Sequence, residues 1–172
     1  MDTLKESNAM KALFLAGAVL ALTAALPASA QPSPGNPSAV ADAPARGVVR
    51  QISSYGFDET IRRIRADLGT KNIPVYAEID QQRLGAGANL PIRRSTLLLF
   101  GNPPLGVQFL QANPLAGLDW PVRMLVTEDA GGRVWVAWTD FAFIADRYSL
   151  TGLQAQLAMA TQVAASVAGS AR

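Results

Sequence analysis

The sequence predicts a single small α+β domain with a mainly antiparallel or mixed sheet, element order β-α-β-β-α-β-β-α-α, and helices covering one face. Three observations carry that prediction. Phe57, Ile61, Ile64 and Leu68 recur at steps of four, three and four, which places all of them on one helical face. Two apolar segments, residues 120–128 and 134–139, flank Asp129-Ala130-Gly131-Gly132, whose two glycines tolerate the positive φ of a tight hairpin. The apolar run at residues 97–100 has strand length and meets Gly101-Asn102-Pro103-Pro104, a corner that stops a strand and starts a helix.

Taken in order, the chain opens with Lys5 and Lys11 ahead of an apolar run over residues 12–26, closed by Pro27-Ala28-Ser29-Ala30. A basic n-region, an apolar h-region and small residues in A-x-A order predict a secretory signal over residues 1–30, cleaved after Ala30. The fifteen apolar residues fall short of the roughly 20 that span a bilayer, so no membrane attachment is expected after cleavage. No Cys follows the cleavage site, which excludes lipid attachment there. Translation from Met10 would leave a shorter n-region of the same kind. The expected address is the periplasm or the outside medium. Residues 31–45 hold Pro32, Pro34, Pro37 and Pro44 among Ser, Ala, Gly and Asn. They have too little apolar surface to fold and read as a disordered tether to a domain over residues 46–172.

Residues 47–53 are short and β-branched, a first strand broken by Ser54-Tyr55-Gly56. The following helix has Asp58 and Glu59 in its first turn, where carboxylates favour the positive end of the helix dipole, and Glu59 precedes Arg63 by one turn. Gly69 or Asn72 ends it. Residues 73–80 alternate as a second strand, and Pro74 places its start or an edge. Residues 81–89 contain Gly85 and Gly87 but no third glycine at dinucleotide spacing and no Gly-Lys-Ser/Thr, so they read as a plain flexible loop.

The continuous run at 97–100 is typical of a strand covered on both faces. Asn102 caps the next helix, and Pro103 and Pro104 suit its first turn because their missing N–H groups would be unpaired there anyway. Val107 with Leu110, or Leu105 with Phe109, faces the core. Residues 112–119 form a connection containing Pro114 and Gly117. After the hairpin, Phe141, Ile144 and Ala145 have helical spacing, and Leu153, Leu157, Ala160, Ala164 and Val167 mark a last helix ending at Gly169. Trp135 and Trp138 fall on opposite strand faces, one for the core and one free for a pocket or subunit interface.

Composition narrows the function. The chain has no Cys and no His. Disulfides, thiolate metal sites, thiol nucleophiles, imidazole bases and every Ser-His-Asp triad are therefore absent. Without Lys5, Lys11, Asp2 and Glu6, thirteen basic and eleven acidic side chains remain, a balance too even for a nucleic-acid partner.

Several separated motifs in the right order carry a family resemblance. They are Tyr76-Ala77-Glu78-Ile79-Asp80, then Thr96-Leu97-Leu98-Leu99-Phe100-Gly101-Asn102-Pro103, then Gly117-Leu118-Asp119-Trp120-Pro121, then Glu128-Asp129 and Gly132-Arg133-Val134-Trp135. Together they resemble the DUF302 family, a bacterial and archaeal domain of unknown function. The resemblance implies a small α+β domain, often exported and with a dimeric state, and no established activity. Gln81 stands where members often carry His, and Arg147-Tyr148-Ser149-Leu150 where they often read Arg-His-Gly-Leu. Any role of those histidines is closed to this chain.

The polar candidates at element ends are Asp80, Asn102, Glu128 and Asp140, with Asp119 beside them. Capping and turn chemistry accounts for such residues at such places, and a general-acid or hard-cation site would need two carboxylates to converge. No catalytic residue, metal or cofactor is assigned. The expected function is a non-enzymatic module that binds a small ligand or a periplasmic protein partner. A carboxylate-based enzyme using Asp80, Glu128 and Asp140, and a homodimeric structural protein burying an edge strand or Trp face, are the alternatives.

Overall fold

The structure, a computed structural model, describes residues 45–172. The predicted signal and most of the predicted tether lie outside the described residues. Five strands, β1 (Val48–Ile52), β2 (Val75–Asp80), β3 (Ser95–Phe100), β4 (Val122–Glu128) and β5 (Val134–Thr139), form one sheet in the order β1-β5-β4-β3-β2. Every pairing is antiparallel, which resolves the mixed alternative. The helices are α1 (Phe57–Thr70), α2 (Gln81–Gly87), α3 (Pro103–Ala112), α4 (Phe141–Tyr148) and α5 (Gln154–Gly169), with a 3₁₀ turn at Pro114–Leu118 inside the predicted connection. The fold is the α+β domain that the sequence predicts.

Strand alternation sorts the side chains. Leu98 and Phe100 on β3, Met124 and Val126 on β4, and Val136 and Trp138 on β5 point to one face and are buried. Against them pack Ile61, Ile64 and Leu68 of α1 and Ala160, Ala164 and Val167 of α5. The small residues of α5 suit a helix lying close to a sheet. Gln51 is the polar exception on β1, and its side-chain amide donates to the Ala168 carbonyl at 2.5 Å, tying the first strand to the last helix.

Two sequence readings are corrected. Residues 81–87 are a helix, not a loop. Asp80 Oδ1 accepts from the Arg83 N–H at 2.9 Å and caps it, while Gly85 fits against the Leu90 carbonyl where a Cβ would come within 2.6 Å. The run at 97–100 is covered on one face only: Leu98 and Phe100 are buried, whereas Leu97 and Leu99 point to the other side and stay half-exposed.

Candidate functional site

A cavity of about 200 Å³ opens at the carboxyl end of β3, between the Gly101-Asn102 corner and α5. Ile73, Phe100, Leu105, Trp120, Met159 and Val163 form its apolar wall, and only Lys71 and Asn102 bring polar side chains to it. The sequence reads this corner as a capped helix start, and the structure opens a cavity beside it. Its chemistry follows from the prolines. Pro103 and Pro104 have no N–H, Asn102 Oδ1 accepts from the Leu105 N–H at 3.3 Å, and the Gly106 N–H bonds the Asn102 carbonyl at 2.9 Å. The first turn of α3 thus offers no free donor to an anion. The Lys71 ammonium is bonded to the Asp67 carboxylate one turn back on α1, so its charge is neutralised locally.

Trp120 shapes the site. It precedes a cis bond to Pro121, stands edge-on to Phe109 at 6.5 Å, and lies so close to the corner that a Cβ on Gly101 or Gly106 would fall 2.6 or 1.9 Å from its ring. Both glycines are there to admit the indole. Sequence reasoning missed this group, because nothing in a linear reading joins Gly101 and Gly106 to a Trp-Pro pair fourteen residues beyond the second glycine.

The four sequence candidates are divided. Asn102 lines the cavity. Asp140 is at the same end of the sheet, with its Oδ1 accepting from the Ala142 N–H at 2.9 Å as the cap of α4. Asp80 and Glu128 lie at the opposite end, where β2 pairs with the start of β3 and β4 with the start of β5. Asp80 caps α2 and also borders a polar cleft of about 240 Å³. That cleft is bordered by ion pairs between Arg65 and Glu78 and between Arg94 and Asp58, which clasp α1 to the sheet. Among the described residues no three metal-ligating side chains converge.

Asp119 is the buried carboxylate. It accepts from the Tyr148 hydroxyl at 2.6 Å and from Arg147 at 3.2 Å, and pairs with Arg123. The Asp119 carboxylate and burial push the Tyr148 phenol above its ordinary pKa. Tyr148, a neutral donor to Asp119, stands where members of the resembled family often carry a histidine. At the hairpin, Asp129 accepts from the Trp135 indole N–H at 2.9 Å and from Arg133 Nε at 2.7 Å. The indole donor above all holds that carboxyl well below the usual range. Both clusters are satisfied internally, so they fix the fold.

Residues 48–167 match the family described as "Domain of unknown function DUF302". The chain is 34% identical over 117 residues to the fluoride-specific ion channel FluC 1 of Brucella suis biovar 1 (strain 1330), a match covering 68% of this chain and 46% of that protein. It has the same identity over 117 residues to FluC 2 of Brucella melitensis biotype 1, covering 68% and 43%. The chain therefore spans less than half the length of these curated relatives. The crystal structure of an uncharacterized conserved DUF302 protein from Bacillus stearothermophilus superposes with a TM-score of 0.68 at 19% identity, covering 74% of this chain and all of that one.

Proposed function

Since the chain belongs to the DUF302 family, whose description assigns no activity, we propose that it is an exported, non-enzymatic module that binds a small apolar ligand in the cavity beside Trp120. One observation carries the reading: a built hollow whose wall is apolar, whose helix N-terminus has no donors to give, and whose one cation is already paired. A cavity of this size suits a benzene- to indole-sized guest, because an apolar void of roughly 150 Å³ already accepts benzene. Asn102 at the rim supplies the single polar contact. The carboxylate-based enzyme has no geometric support, since Asp80 and Glu128 stand at one end of the sheet and Asp140 at the other. Fluoride transport is the named activity of relatives whose greater part the match leaves uncovered, and it is not proposed for this chain.

Calorimetric titration with indole tests the cavity. Saturable one-to-one binding near ~100 µM, about −5.5 kcal/mol, is expected. Val163→Phe, which fills the cavity from a half-buried position on α5, should weaken it at least tenfold while leaving the thermal midpoint within a few degrees. Equal binding by the filled variant, or none by the wild type, removes the reading. Export is tested by sequencing the amino terminus of protein recovered from the periplasm, which should begin at Gln31.

A further inference from the structure

We propose that the polar cleft between α1 and the β2 edge of the sheet is a second binding site, built for a small aliphatic primary ammonium. Asp80 and Thr96 sit directly opposite each other in the β2–β3 pairing, so their side chains leave the same face of the sheet side by side. Both border the cleft of about 240 Å³. Thr96 belongs to the row of Leu98 and Phe100 and is only 5% exposed. Its hydroxyl has no hydrogen-bond partner among the described residues. A nearly buried hydroxyl without a partner is unfavourable, and valine would fill the same strand position without that cost. The hydroxyl is therefore kept for something that enters the cleft.

Charge identifies the guest. Asp58, Glu78 and Asp80 bring three carboxylates to the cleft, and Arg65 and Arg94 bring two guanidiniums. Each guanidinium is already engaged. Arg65 Nε donates to Glu78 at 2.8 Å, and Arg94 pairs with Asp58 while lying over the Phe57 ring at 4.3 Å. An anion therefore meets no uncommitted cation here. The charge left over is that of Asp80. Its Oδ1 accepts from the Arg83 N–H as the cap of α2, and its Oδ2 has no partner among the described residues. A guest's ammonium placed between Asp80 Oδ2 and the Thr96 hydroxyl donates to both. A bare divalent cation is a poorer fit, since no three metal-ligating side chains converge among the described residues. Phe57 and Ile61 offer apolar surface for a short alkyl chain, and the volume suits a small guest.

This site lies at the other end of the sheet from the Trp120 cavity and stands or falls without it. Amide NMR titration with n-butylammonium chloride, at constant ionic strength, tests it. The amides of Asp80, Arg83 and Thr96 should shift and saturate at roughly 10 mM, while 1-butanol and sodium butyrate leave them unmoved. Indole should not displace the amine. Asp80→Asn keeps the helix cap and removes the charge, and should weaken binding about fivefold. Thr96→Val should weaken it about tenfold and also raise the thermal midpoint, because the unpartnered hydroxyl is gone. Those two signs together separate a hydroxyl held for a ligand from one that supports the fold. No saturable shift, equal shifts with 1-butanol, unweakened binding by either variant, or a lower midpoint for Thr96→Val overturns the proposal.

Discussion

The two faces of the sheet are written by the same strands, one residue out of phase, and they meet different surroundings. On β3, Leu98 and Phe100 lie under α1 and α5, while Leu97 and Leu99 face away from every long helix. On β4, Met124 and Val126 are fully buried and Leu125 between them is not. The hydrophobic content of neighbouring positions is nearly equal, so apolarity alone does not tell a core position from an uncovered one. What separates them is which element is close enough to cover them, and that is decided by connections far away in sequence.

The sharpest way to break this comparison is to truncate one residue of each face. Met124→Ala should cost about 3 kcal/mol, because it leaves a cavity in a packed layer. Leu125→Ala, at a half-exposed position on the other face, should cost less than about 1 kcal/mol. Urea denaturation measures both. Equal losses would mean that the two faces are not different in kind.

The polar anchor beneath the sheet comes next. Asp119→Ala leaves the buried Tyr148 hydroxyl and two arginines without their acceptor, and should cost about 2–3 kcal/mol. Tyr148 adds a pH signature. Its folded pKa lies above its unfolded value, so its contribution is intact below about pH 10 and is lost as pH rises through the folded value. Alkaline denaturation followed by circular dichroism should show that loss, and Tyr148→Phe should flatten it. The smallest effect is at Ser149, which ends α4 with φ of 52°. Ser149→Gly removes that strain and should raise stability by about 0.5 kcal/mol after the greater entropy of the unfolded chain is counted.

Much of this fold is legible in the sequence because it rests on local rules. The spacing of Phe57, Ile61, Ile64 and Leu68, the glycines of the hairpin, and the caps at Asn102 and Asp140 each specify their element within a few residues. Helix α2 escaped because Gly85 and Gly87 outweighed the cap at Asp80, and only the Leu90 carbonyl pressing on Gly85 shows why a glycine belongs there. The apolar run of β3 was misread for a deeper reason. A run of four apolar residues does not say whether a second layer covers the strand, and here only the side of Leu98 and Phe100 lies under helices. The cavity was half legible. Its corner is visible at Gly101-Asn102-Pro103-Pro104, but Ile73, Trp120 and Val163 are brought to it only by the assembled sheet and the last helix.

The most direct test of the account is a methyl-resolved NMR titration of the protein with indole, because it reads the cavity and the open face together. The account predicts saturable shifts at Ile73, Leu105, Met159 and Val163, and unmoved methyls at Leu97, Leu99 and Leu125. Shifts centred on Leu125, or none at the cavity methyls, would contradict it.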